Sequence, residues 1–353
     1  MIYHFIKMRP LVLKGHSKPI KALLFNKDND LLFSGSTDRY ITLLSSEYGE
    51  RIGTYAHKAA VYTMSISDDS KYLVSGDSTG GVYFWEASNG ALLKKIEMDP
   101  KFSIRSVNFS YGDEKVSIAY GGRTKDSESA VVVYAFNDIL KSVCNGDKVI
   151  KECPTEKLFK TENNEKISKT RWFNLNKNII ATTEAGNILN YDYSSGKIVL
   201  KKKIHDGEIM DLDISKKEEV LLTASKDGKS LVLDPDTFDI IETLHPQNPT
   251  RNINSCRISP LMSLDDENKV KFHAFIAGGQ ESREVTTTHA KKGGFELLIY
   301  NMMFGNELGA IQGHFGPINA LAVTSDGYCV ASGAEESSVR VHRLDYDEYN
   351  ELK

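Results

Sequence analysis

Four stretches of this 353-residue chain share one spacing. Each opens on a histidine, carries a branched apolar residue four positions later, and has a serine or threonine eighteen positions on. They are His16, Ile20 and Ser34; His57, Val61 and Ser75; His205, Ile209 and Thr223; and His314, Ile318 and Ser332. In three of them an acid stands 22 positions after the histidine, as Asp38, Asp227 and Glu336. One such pair would mean little. Four in register mean that one supersecondary unit recurs, because a unit too small to bury its own apolar face must stack on copies of itself.

The apolar position extends to three weaker repeats, at Ile104, Ile167 and Ile253. The seven then follow at intervals of 41, 43, 63, 42, 44 and 65 residues. Four intervals fit the period of roughly 40–45 residues expected of WD-type propeller blades. The two long ones locate insertions, one near 137–161 and one near 261–294, both rich in polar or charged residues. Within a repeat, short apolar runs such as Tyr72–Gly76 and Val82–Trp85 flank polar turns such as Ser78-Thr79-Gly80, which is hairpin chemistry. No helical period holds for three turns, so little helix is expected. The fold class expected is all-β, a seven-bladed WD40 β-propeller. Pro10–Leu13 has no repeat of its own to finish, and the last repeat ends at Val339–Leu344 without an outer strand. The N-terminal strand should therefore complete the last blade and remove an exposed edge. This divides the chain into an extension at 1–8, a propeller at 9–345 and a tail at 346–353.

Composition excludes other classes. A formal net charge of −4 supplies no electrostatic footprint for nucleic acid. Lys201-Lys202-Lys203 is followed at once by Asp206 and Glu208, as on a solvated blade edge. The four cysteines (Cys144, Cys153, Cys256 and Cys329) lack C-x-x-C spacing, so free thiols of a reducing, cytoplasmic compartment are expected. Met1–Lys7 is too short of apolar residues for a signal segment, and no apolar run reaches membrane-spanning length.

The repeated polar residues suit a buried chain of hydrogen bonds in which Asp accepts from one imidazole nitrogen and the other nitrogen pairs with the Ser or Thr hydroxyl. The residues expected to form it are His16, Ser34 and Asp38; His57, Ser75 and Trp85; His205, Thr223 and Asp227; and His314 and Ser332. Only Trp85 stands where an indole could extend the chain; Leu44 and Leu233 occupy that place in repeats one and five. A catalytic Ser-His-Asp triad occurs once and needs a strained elbow with an oxyanion hole. A motif repeated around a ring is structural, and the nine histidines show no metal-ligand spacing. No catalytic residue, metal ligand or cofactor site is expected.

Two segments go beyond a generic repeat. One is Gly278-Gly279-Gln280-Glu281-Ser282-Arg283-Glu284-Val285-Thr286-Thr287-Thr288; the other is Gln312-Gly313-His314-Phe315-Gly316-Pro317-Ile318-Asn319. With Arg9-Pro10-Leu11 and Asn26–Phe33 they closely resemble the family of subunit i of eukaryotic translation initiation factor 3. The likeness runs over most of the chain. It departs at Met1–Lys7, upstream of the Met8-Arg9-Pro10 start, at Ala119–Asn163, and at Leu261–Lys271, which is longer than expected. The resemblance implies a non-catalytic, cytoplasmic scaffold without cofactors, docking the C-terminal helix of scaffold subunit b and subunit g. Through them it would reach the small-ribosomal-subunit preinitiation complex, with no direct sequence-specific nucleic-acid binding. It also points to Asp211 and Asp227 as partner-binding acids. Asp211 is the cleaner candidate, because alternation gives it the facing of Ile209, away from the Asp227 network. Gln280 and Glu281 are either a self-capping loop or a surface shaped for a fixed partner. The rival readings are a WD scaffold of receptor-kinase signalling or RNA processing and, from another class, a propeller hydrolase with channel carboxylates.

Overall fold

Each of the seven repeated apolar residues lies at or near the start of an innermost strand and is at most 1% exposed. These strands are Ile20–Phe25, Val61–Ile66, Phe102–Phe109, Ile167–Phe173, Ile209–Ile214, Ile253–Ile258 and Ile318–Val323. The computed structural model describes residues 10–122, 124, 127–150, 153–246, 251–264, 270–280, 294–345 and 349. The strands form seven four-stranded antiparallel sheets, the blades of a β-propeller. The last blade takes its outer strand from the other end of the chain: Leu11, Val12 and Leu13 pair with Val341, Arg340 and Val339. Leu13 packs with Val339, Val341, Ile20 and Leu23, so one cluster joins the last blade to the first.

A single packing rule explains the Ser-Gly pairs on the second strands. The glycine lies where the next blade's branched residue presses in. A Cβ built on Gly76 would stand 2.3 Å from Ile104 Cγ2, and one on Gly333 would stand 2.5 Å from Ile20 Cγ2. The second contact crosses the ring closure by the same geometry as the first.

Every innermost strand also carries a bulge just after its repeated apolar residue. The inserted residue breaks strict alternation, so the next paired side chain falls on the opposite face. That corrects the facing expected of Asp211. Ile209 pairs with Ser225 and Asp211 with Ala224, Met210 being the extra residue. Asp211 therefore turns away from the face of Ile209, toward blade six.

The insertions are less loop-like than their composition suggests. The one near 137–161 begins beside a short helix, Phe136–Lys141, which buries Phe136 and Ile139 among Val74, Phe84 and Val116. It then runs along the outer edge of blade two, exchanging backbone hydrogen bonds between Lys95 and both Lys148 and Ile150. It ends as the outer strand of blade three, Lys157–Lys160. The one near 261–294 starts with a 3-10 turn, Pro260–Ser263, whose Leu261 and Met262 are buried. In the expected tail, Tyr349 is buried against Phe275, and its hydroxyl lies 3.0 Å from His273 Nδ1. No helix among the described residues is long and apolar enough to cross a membrane.

Candidate functional site

The histidine networks form where a loop arriving from the previous blade meets the turn between the second and third strands. In blade one, His16 Nδ1 lies 2.9 Å from Asp38 and Nε2 lies 2.8 Å from Ser34 Oγ. In blade five, His205 lies 2.8 Å from both Asp227 and Thr223. In blade seven, His314 lies 2.9 Å from Glu336 and 2.8 Å from Ser332. The acids do double duty, since Asp38 also accepts the Ser17 and Tyr40 N–H groups and Asp227 those of Asp206 and Lys229. Burial by itself would raise the Asp227 carboxyl. The His205 hydrogen bond and charge, with those two N–H donors, outweigh it and hold the group down to about 2.

Blade two solves the same problem with a residue that spacing did not reveal. Ser75 Oγ accepts from the Trp85 indole at 2.9 Å and lies 2.7 Å from His57 Nε2. His57 Nδ1 turns to the Tyr55 carbonyl at 3.3 Å. The acid is Asp77, two positions earlier than the pattern places one. It accepts from the Gly81 and Thr79 N–H groups and from the Tyr83 hydroxyl, whose oxygen accepts the Lys58 N–H. Its visible signal was an acid at the end of a second strand with a tyrosine six residues on.

Asp211 belongs to a second system that joins blades along the channel. A side chain two positions after the repeated apolar residue accepts an N–H from the next blade. Thr63 takes Val107 at 3.0 Å, Ser106 takes Thr170 at 3.2 Å, and Ser255 takes Leu321 at 3.1 Å. Asp211 is blade five's member of this ladder. Its carboxylate accepts from the Cys256 N–H at 3.3 Å, the Ser255 hydroxyl at 2.6 Å and Arg257 at 2.7 Å. Burial pushes this acid up, but Arg257, with Lys169, Arg171 and the Ser255 hydroxyl, brings it down to about 2. The expectation of an acid free of structural duty is therefore corrected: Asp211 is 4% exposed, and the acids of both networks in blade five face inward. Gln280 is half-buried; Glu281 and Thr286–Thr288 lie outside the described residues.

What blade five does offer outward is apolar. Ile240 and Ile241, on its outer strand Ile240–Leu244, are 51% and 56% exposed. The turn of blade six carrying Met303 and Phe304, at 56% and 75%, adjoins this strand on the side of Glu242, whereas Ile240, paired with Leu233, faces blade four. Turn and strand are in contact, because a Cβ on Gly305 would stand 3.0 Å from the Glu242 carboxyl carbon. Large exposed side chains at adjoining elements of this kind mark docking surfaces more often than isolated ones do. Among the described residues no group of three or more His, Cys, Asp or Glu side chains converges as metal ligands.

The family model EIF3I matches residues 8–353. Subunit I of eukaryotic translation initiation factor 3 from Nematostella vectensis is 31% identical over 97% of this chain and 98% of its own length. That of Kluyveromyces lactis is 32% identical over 96% and 92%, and that of Drosophila melanogaster 33% over 96% and 97%. A propeller matched by one family's model over nearly its whole length, and by these relatives over nearly all of both chains, belongs to that family: eukaryotic translation initiation factor 3 subunit I, whose members are initiation-factor subunits and not enzymes.

Proposed function

We propose that the chain is a cytoplasmic scaffold subunit of an initiation factor 3 complex, and that it holds a helical segment of the scaffold subunit b on the outer side of blades five and six. Subunit g and the small-ribosomal-subunit preinitiation complex are the further partners in this reading. The observation that carries the placement is the exposed apolar group of Ile241, Met303 and Phe304 at the junction of blades five and six, displayed on a ring that closes on itself. An amphipathic helix laid across it would bury several hundred Å² per side, roughly the lower end of stable interfaces. The aromatic Phe304 is suited to serve as the central anchor. Glu242, beside Gly305 of the blade-six turn, would orient a basic helix and speed its capture. Asp211 and Asp227 serve here by fixing the shape of blade five rather than by touching the partner.

The test is a pull-down of the partner's C-terminal segment by the purified chain. Ile241→Glu with Phe304→Glu should weaken capture at least about tenfold while the melting temperature holds, as expected when a hot spot is lost. Tyr48→Glu, at an equally exposed turn of blade one, should change neither. Undiminished capture by the double variant would place the site elsewhere.

A further inference from the structure

The interblade ladder has one member that cannot belong to it. Its seven positions are Ala22, Thr63, Ser106, Lys169, Asp211, Ser255 and Ala320. Four accept an N–H from the next blade, and two are alanines that offer nothing. Lys169 has only donors. The N–H it fails to receive, that of Leu212, turns instead onto Asp211 Oδ1 at 3.0 Å. Among the described residues the Lys169 ammonium has no hydrogen bond or ion pair of its own.

The side chain lines a cavity of about 470 Å³ at one mouth of the channel, and three guanidinium groups line the same space. Arg105 reaches Glu184 at 3.1 Å, but its Nε is buried without a partner. Arg171 is held by the Asn108 side-chain oxygen and the Thr170 carbonyl, both neutral, at 3.1 Å each. Arg257 pairs with Asp211. Burial holds the Lys169 ammonium below its ordinary value; Asp211 opposes this, and the three arginines add to it. Asp213 lines the cavity below, where it takes the Ile258 N–H at 2.9 Å. Lys21 is paired with Glu335, Lys226 with Glu208, and Lys216 turns to the Ser325 carbonyl; of the charged groups that remain, Lys169 and the three arginines face Glu184, Asp211 and Asp213, an excess of one cation. A half-buried cation without a partner, with an orphaned donor next to it, is costly unless an anion completes it.

We propose that this channel mouth binds a compact phosphate-class oxyanion, with Lys169 as the donor and the guanidinium groups of Arg105, Arg171 and Arg257 around it. The small excess of charge, rather than the size of the cavity, favours a small anion. Glu184 and Glu208 on the rim neutralise Arg105 and Lys226 and leave little free positive charge for a larger polyanion, while Arg171 and Arg257 line both cavities and so stand between them. Binding sites of this composition use charge-assisted hydrogen bonds, the strong kind.

The experiment is calorimetric titration of the full chain with inorganic phosphate, pyrophosphate and adenosine monophosphate, with ionic strength held constant by chloride. Phosphate and pyrophosphate should bind one to one. Lys169→Met and Lys169→Gln should each weaken them at least about tenfold, and Lys203→Met, on an exposed edge, should not. In chloride alone Lys169→Met should melt no lower than the parent chain, because it removes an unpaired cation. Adenosine monophosphate should bind at least about tenfold more weakly than pyrophosphate. Absence of binding up to ~10 mM, or full binding by both Lys169 variants, would overturn the site. Equal or tighter binding of adenosine monophosphate would overturn its assignment to a compact anion.

Discussion

Asp211 and Asp227 stand on one blade, and each is held to about 2 by a different neighbour, Arg257 for the first and His205 for the second. The difference decides what substitution does. At Asp211, lysine would place a second cation against Arg257 and leave the Cys256 N–H and Ser255 hydroxyl without their acceptor. Breaking a buried charge pair costs roughly 3–5 kcal/mol. Thermal melts of Asp211→Lys should therefore show a clear fall, with Asp211→Asn, which keeps an acceptor, falling less. A melting temperature unchanged by Asp211→Lys would mean that the carboxylate is not engaged as described. Sequence made the His16, His205 and His314 networks legible because a fixed hairpin length turns spacing into proximity. It misplaced Asp211 because a bulge, invisible in residue type, reverses the facing after Ile209. It missed Asp77 because that acid acts through Tyr83 from a shifted position.

Between elements, the coupling is steric. Ile104 fills the space that Gly76 leaves open, and no side chain can be added there without displacement. Overpacking of this kind costs about 1–3 kcal/mol. Gly76→Ala should lower the melting temperature, and adding Ile104→Ala, which destabilises by itself, should recover part of the Gly76→Ala penalty. A double variant whose loss equals the sum of the single losses would show that the two residues do not share the space. The seven strand starts were legible because branched apolar residues recur at one offset from His or its substitutes. The insertion near 137–161 was legible only as extra length. Its polar composition gives no hint that it hydrogen-bonds along Lys95 and covers the edge of blade two, since backbone pairing carries no side-chain signature.

Over the whole molecule, histidines set the response to acid. Burial depresses His57, His273 and His342 to about 4 and lowers His314, the last despite Glu336 beside it. The unfolded chain takes these protons near 6.5, so stability is full above that pH and is lost as pH falls from 6.5 toward 4. Asp211 and Asp227 contribute a separate loss only below about 4, as they protonate on the way to 2. Melting temperature measured from pH 8 to 4 should be level and then fall. The fall should be shallower in His342→Gln, whose parent Nδ1 is buried without a partner. A level profile from 6.5 to 4.5 would refute the assignment. The exposed group proposed for docking, by contrast, was not legible in advance, because the Glu242 strand and the Phe304 turn adjoin only when blades five and six stand side by side.

The pairing of Leu11 with Val341 joins residues 330 positions apart. A ribosome adding ~5–20 residues per second makes the first of these strands tens of seconds before its partner exists. Until then the seam between blades one and seven has no second side, and the face of Ile20 that will press on Gly333 stays bare. A nascent chain that stops anywhere short of Val339 is left with an open, adhesive edge for quality control to find. In a protein whose family serves the start of translation, the fold thus completes only once the last blade has been made.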